Sequence, residues 1–170
     1  MISFPESIMQ AAKRLMDRCL QLQVKVVFAE SCTGGLIAAA MTEIPGSSEV
    51  VERGLVTYSN AAKQQLLGVP SELIEQHGAV SEPVAIAMAE GALRASHGLA
   101  QLSIAVTGVA GPGGTAAKPE GLVHIATAYS GHGVLHEKQQ FGPIGRNRVR
   151  EATVLKALEL ALKCLESSDR

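Results

Sequence analysis

Tryptophan is absent, and aromatic residues make up only 3% of the 170 residues. A stacking platform for bases, of the kind single-strand binders use, is therefore poorly supplied. Cysteine is scarce. Cys19, Cys32 and Cys164 are odd in number, widely spaced and contain no CxxC pair. That pattern argues against a disulfide framework or a cysteine-built zinc site and favours a reducing compartment. Neither sign of charge is in excess. A formal net charge of -1 argues against bulk electrostatic binding to nucleic acid or to an acidic membrane, but leaves room for a small anion held by local cations. No apolar run reaches the roughly 18 residues that a membrane helix needs. Residues 1–18 lack the apolar stretch and small-residue cleavage site of a secretory signal, so the expected location is the cytoplasm. No His, Asp or Glu cluster has metal-ligand spacing, and neither a metal nor a cofactor is expected.

What is present describes a folded α/β protein. Hydrophobic residues are 46% and charged residues 18%, as expected for a globular chain. The length suits one domain, residues 1–170, with a sizeable core. No internal repeat, low-complexity tract or domain boundary is evident. Helical spacing marks residues 9–22, short apolar or Ala-rich helices are expected over residues 36–42, 60–67, 71–76 and 83–96, and a longer one over 146–165. Ser59 or Asn60 is the expected cap of the 60–67 helix and Ser71 that of the next, while Pro83 suits a first helical position. Strands are expected over residues 24–29, 50–58 and 102–107, followed by a hairpin of 122–129 and 134–141 around Gly131-His132-Gly133. Helices and strands alternate early and a hairpin comes late. The expected fold is a single-domain α/β/α sandwich with a mixed, mainly parallel sheet.

The segment Glu30-Ser31-Cys32-Thr33-Gly34-Gly35 lies between the first strand and the second helix. Backbone N–H groups at a helix start lack intrahelical partners and carry the positive end of the helix dipole, so an anion or an oxyanion can rest there. Ser31 could be a nucleophile that generates its own oxyanion beside those donors; its ordinary alternative is a helix cap. The pair Gly34-Gly35 lets the chain bend tightly and a ligand come close, which a simple cap does not require. Cys32 is a rival nucleophile, or a small buried hydrophobe. The serine is favoured, but the sequence does not decide between them. No histidine falls in a recognisable Ser-His-Asp arrangement. Tyr58, at a strand end, and Lys63, one turn into the next helix, offer another base, because a desolvated lysine can accept a proton. The bland alternative is a strand end followed by a surface lysine.

Thr107-Gly108-Val109-Ala110-Gly111-Pro112-Gly113-Gly114 resembles a phosphate cradle in composition, but it is neither a Walker A loop nor a dinucleotide fingerprint. Arg146, Arg148 and Arg150 crowd the start of the last helix, where cations oppose the dipole. A compensating anion, such as a substrate phosphate, would explain them; a solvated helix face would also do so. At most Arg146 and Arg150 share a side. His77 and Glu82 flank a compact turn, where structural roles are expected for both.

Five segments stand in order: Ala29-Glu30-Ser31-Cys32-Thr33-Gly34-Gly35, Gly54-Leu55-Val56-Thr57-Tyr58-Ser59-Asn60, His77-Gly78-Ala79-Val80-Ser81-Glu82-Pro83, Thr107 to Gly114, and Lys118-Pro119-Glu120-Gly121. Together they resemble the CinA C-terminal domain family, the nicotinamide-nucleotide amidases, across nearly the whole chain. The resemblance implies hydrolysis of the carboxamide of nicotinamide mononucleotide to nicotinic acid mononucleotide and ammonia, in pyridine-nucleotide salvage. It implies Ser31 as nucleophile assisted by Tyr58 and Lys63. Substrate contacts are expected from Cys32, Thr33, Gly34, Gly35, Thr107, Gly108, Gly111 and Arg146. Arg146 matches the family's Gly-Asp-Arg-type arginine, although here Gly145 precedes it with no acidic residue, which leaves Arg148 as the alternative. The implied partner is a small pyridine nucleotide, with no nucleic acid or membrane; self-association as a homo-oligomer is left open. The competing reading is a non-catalytic nucleotide-binding or regulatory module of the competence/damage-inducible type.

Overall fold

The computed structural model describes residues 3–167. The elements, in chain order, are α1 (Glu6–Leu22), β1 (Val26–Glu30), α2 (Leu36–Thr42), a single 3₁₀ turn (Ser47–Glu49), β2 (Val51–Val56), α3 (Asn60–Leu67), α4 (Ser71–His77), α5 (Glu82–Ala95), β3 (Leu102–Gly108), β4 (Leu122–Tyr129), β5 (Gly133–Gln140) and α6 (Arg146–Ser167). All the expected helices and strands form, with ends shifted by a few residues. The caps differ in detail. Ser59 caps α3 by accepting from Ala62 N, but Pro70 rather than Ser71 occupies the cap of α4. Pro83 is the second residue of α5, with Ser81 before the helix.

The sheet order is β2-β1-β3-β4-β5. β1 runs parallel to both β2 and β3, whereas β4 is antiparallel to β3 and β5. The sheet is mixed as expected, although its parallel and antiparallel pairings are equal in number. The late hairpin supplies the antiparallel half, because two strands joined by a tight turn can only run in opposite directions.

Alternation along the strands divides the core into two layers. Val26, Phe28, Ile104, Val106, Val123 and Ile125 face a large apolar cluster shared with α1, α2 and α6. Val27, Ala29, Ala105, Ala126 and Ala128 face a second cluster built on α5. Its small side chains let α5 settle close to the sheet. Gly91 belongs to the same economy of space: a Cβ there would stand 2.0 Å from the carbonyl oxygen of Leu67. The C-terminal ends of β1, β2 and β3 point the same way. In an open α/β sheet that edge is where ligands bind. No helix is long and apolar enough to cross a membrane among the described residues.

Candidate active site

The first strand ends by sending two consecutive side chains to opposite faces. Glu30 turns toward α2, and Ser31 toward α3. Glu30 is buried, at 1% exposure. Its carboxylate accepts from Thr33 Oγ1 at 2.6 Å, Gly35 N at 3.0 Å, Ile37 N at 3.1 Å and Ala38 N at 2.9 Å. It therefore neutralises the start of α2 with its own charge. This resolves the alternative for Ser31, since the capping role falls to Glu30. It also corrects an expectation: the N–H of Gly35 is occupied by Glu30, and that of Gly34 donates to Ser31 O at 3.1 Å. Neither glycine is free to hold an oxyanion. The N–H groups of Cys32 and Thr33 donate to no other residue among the described residues, that of Cys32 lying against its own sulfur, and they are the donors next to Ser31.

Ser31 is held by the sheet, through Ser31 N to Val106 O at 3.2 Å. Its hydroxyl meets Lys63, which crosses 32 residues of sequence to place Nζ 3.0 Å from Ser31 Oγ. Lys63 is not a surface lysine; it is only 1% exposed. Its Nζ also donates to Thr57 O at 2.9 Å and Tyr58 O at 3.2 Å. Burial lowers its pKa from the ordinary 10.5, partly opposed by the nearby Cys32. A neutral amine has two N–H bonds and one lone pair. Once deprotonated, with the two carbonyls taking its hydrogens, the amine would turn its lone pair to the serine hydroxyl. That is the orientation a general base requires.

Cys32 is the weaker of the two candidate nucleophiles. Its thiol is pushed up to about 12, mainly by burial and against the lowering effect of its own backbone N–H. It is 5% exposed and would stay protonated near neutrality, where a thiol is a weak nucleophile.

Tyr58 contributes differently from expectation. Its carbonyl holds Lys63, while its hydroxyl accepts from Arg146 Nη2 at 3.2 Å. The side chain is 61% exposed and bonds through its hydroxyl to neither Ser31 nor Lys63. A direct proton relay through the phenol is not built here, because the phenol belongs to the rim. Arg146 also donates to Gly111 O at 2.7 Å. Arg148 instead lines a separate groove with Ser7 and Ile8 of α1, and Arg150 reaches back to Thr33 O at 3.0 Å. Arg146 and Arg150 thus share a side, and Arg146 is the arginine that lines the site cleft.

That cleft encloses about 200 Å³. Ser31 and Cys32 form one wall, Tyr58, Asn60 and Lys63 a second, and Ala79 and Val80 a third, closed by Thr107, Gly108, Ala110 and Arg146. No carboxylate among the described residues lines it. Thr107 Oγ1 is directed to Ala79 O at 2.9 Å and so holds the Ala79-Val80 wall. His77 has a structural part: its carbonyl and that of Val80 both accept from Lys118 Nζ. Glu82 reaches His136 Nδ1 at only 3.7 Å and caps nothing. The glycine-rich loop is not an empty cradle. Glu120 accepts from Gly113 N at 3.0 Å, and a Cβ on Gly111, whose φ is +86°, would stand 2.3 Å from the Glu120 carboxyl carbon. An internal carboxylate fills that concavity, as Glu30 fills the helix start. Gly111 reaches the site only through its carbonyl.

Sequence reasoning missed Asn60 and the Ala79-Val80 wall as lining groups, and Glu30 and Glu120 as internal anions. For Glu30 a signal existed: a carboxylate one residue before a turn that opens a helix is well placed to neutralise it. For the Ala79-Val80 wall the signal was the segment His77 to Pro83, which the resemblance singled out without giving it a role.

Comparison with known proteins identifies the family and the fold. The model of the CinA C-terminal domain matches residues 8–165. A CinA-like protein of Parasynechococcus marenigrum is 55% identical over 133 residues, covering 77% of this chain and 31% of that protein. The chain thus spans about a third of the length of the curated relatives it matches. A competence/damage inducible protein, CihA, from Agrobacterium tumefaciens superposes with a TM-score of 0.92 at 50% identity, covering 96% of this chain and 99% of that one. A CinA superfamily protein from Klebsiella pneumoniae gives 0.88 at 28% identity, covering 94% and 98%. With a family match over nearly its full length and the family's fold reproduced, the chain belongs to the CinA C-terminal domain family.

Proposed function

We propose that this protein is an amidohydrolase that converts nicotinamide mononucleotide to nicotinic acid mononucleotide and ammonia. The observation that carries the reading is the Ser31–Lys63 contact of 3.0 Å at the floor of an open cleft. A serine hydroxyl bonded to a desolvated amine is a nucleophile with its base in place.

In this reading Lys63 takes the proton of Ser31 as Oγ bonds to the carboxamide carbon. The Cys32 and Thr33 N–H groups meet the developing oxyanion; loss of one such donor typically costs about 10²–10³ in rate. The Lys63 ammonium then gives its proton to the amide nitrogen. The C–N bond breaks, ammonia leaves, and an ester to Ser31 remains. Water attacks that ester while Lys63 takes one of its protons. The acyl C–O bond breaks, and the proton returns to Ser31.

The lining suits the substrate. Nicotinamide mononucleotide carries a cationic pyridinium and an anionic phosphate. A neutral Lys63 does not repel the ring, and Arg146 at the rim offers its charge to the phosphate. Because Glu30 and Glu120 occupy the two backbone anion sites, the phosphate depends on Arg146 and the Tyr58 hydroxyl beside it.

The test is ammonia release from the mononucleotide by wild type and by Ser31→Ala. Turnover by wild type and none by the variant, with unchanged thermal melting, is expected. Turnover by Ser31→Ala at the wild-type rate would remove Ser31 as nucleophile. Binding of the mononucleotide without any ammonia would favour a non-catalytic module.

A further inference from the structure

Arg150 does not line the cleft, yet it is tied to the nucleophile. Its Nη2 donates to Thr33 O at 3.0 Å. The same peptide unit carries the N–H of Gly34, which donates to Ser31 O at 3.1 Å. A continuous chain of hydrogen bonds therefore runs from the guanidinium through the 33–34 peptide to the backbone of Ser31. Such a chain polarises each of its members.

The guanidinium lies beside the turn. A Cβ added to Gly34, whose φ is +59°, would stand 3.5 Å from Arg150 Nη2. Arg150 Nε is buried with no hydrogen-bond partner among the described residues. A guanidinium ordinarily uses such donors. This one leaves a buried donor unused while directing Nη2 at a single carbonyl. Its charge is also felt at the turn, where it favours the ionised form of Cys32.

We propose that Arg150 is a positioning residue for Ser31. It fixes the plane of the 33–34 peptide, and through it the Ser31 backbone and the two N–H groups at Cys32 and Thr33. It also places a positive charge behind the point where the oxyanion develops. Arg150 touches neither the substrate nor the reacting atoms. Glu30 holds the other side of the same turn through Thr33 Oγ1, and Thr33 O keeps a second donor in Leu36 N at 3.3 Å. Loss of Arg150 therefore leaves the turn folded but less fixed.

This inference rests on Ser31 being the nucleophile, and its test separates the two. Arg150→Met keeps the apolar stem and removes donor and charge. The first readout is the rate at which a fluorophosphonate probe labels Ser31, located by peptide mass; it needs no mononucleotide. The second is the split between kcat and KM for ammonia release. Misplacement of a reacting group by about 1 Å can cost 10²-fold. Labelling and kcat are expected to fall by about 10²-fold, with KM within about twofold. Arg150→Lys, which retains the charge and can reach one acceptor, should recover part of both. A purely structural role would lower the melting temperature of Arg150→Met and leave the labelling rate of the folded protein at the wild-type value, which overturns the proposal. So does Arg150→Lys behaving no better than Arg150→Met. Wild-type protein that the probe fails to label at Ser31 overturns the nucleophile itself, and this inference with it.

Discussion

Replacing Lys63 by methionine removes the amine and keeps an unbranched side chain of similar length in the same space. Three hydrogen bonds go with it, to Ser31 Oγ, Thr57 O and Tyr58 O. The Thr57 carbonyl belongs to a residue with no exposed surface, so it is left without that donor; an unsatisfied buried acceptor costs about 1–3 kcal/mol. Tyr58 is open to water and loses less. Against this, the variant no longer buries an ionisable amine. The net loss of stability at neutral pH should be about 1–3 kcal/mol, small enough for many domains of this size to survive. Activity should fall much further, because a positioned general base contributes about 10²–10⁴-fold.

Titration sharpens the same experiment. The folded pKa of Lys63 lies below its ordinary 10.5. Between the folded value and 10.5 the unfolded chain binds a proton that the folded chain does not, so stability rises with pH across that window. Below the folded value both states are protonated and the full penalty applies. In wild type, kcat/KM should rise with pH through the folded value as the base becomes neutral. Ammonia release measured across pH, beside urea unfolding at pH 7 and pH 9.5, reads both effects. In Lys63→Met the ascending limb should vanish, and its unfolding free energy should lose the Lys63-dependent rise. Lys63→Met protein that keeps activity within about tenfold of wild type would refute the base assignment.

Other perturbations act on separate parts of the site. Arg146→Ala should raise KM for the mononucleotide by about 10–100-fold, the worth of a hydrogen bond to a charged group, with kcat nearly unchanged; a fall in kcat alone would contradict the phosphate-anchor role. The imidazole of His124 is held down to about 4, first by burial and then by His136, Lys118 and Lys138. Between pH 6.5 and pH 4 the unfolded state takes up a proton that the folded state refuses, so stability should fall as pH drops through that window, by up to about 3 kcal/mol. His124→Gln should flatten that part of the profile, as read by thermal melting at pH 7, 5.5 and 4.5; an unchanged slope would show that other groups set it.

Much of the fold was legible because its signals are local. Val26 to Glu30, the β4–β5 hairpin around Gly131-His132-Gly133 and the periodic α6 each declare themselves within a few residues. The order β2-β1-β3-β4-β5 was not, since it depends on which strands meet across long stretches of chain. In the site, Ser31, Lys63 and Arg146 could be singled out from turn, spacing and resemblance. What no local pattern reveals is that Lys63 is buried and aimed at Ser31, because that needs β1 and β2 to lie side by side. The two backbone anion sites were misjudged for a related reason. Gly-rich turns expose donors, but Glu30 and Glu120 return to fill them, and composition does not say which anion wins. Tyr58 was legible as a site residue, but not that its carbonyl and its hydroxyl serve two different neighbours.

The most direct measurement is rapid-quench mass spectrometry of the wild-type protein mixed with nicotinamide mononucleotide. The account predicts a transient acyl adduct, equal in mass to the mononucleotide less ammonia, on the peptide that contains Ser31, and its loss in Ser31→Ala. Ammonia released with no adduct at any quench time, or an adduct carried by Cys32, would contradict it.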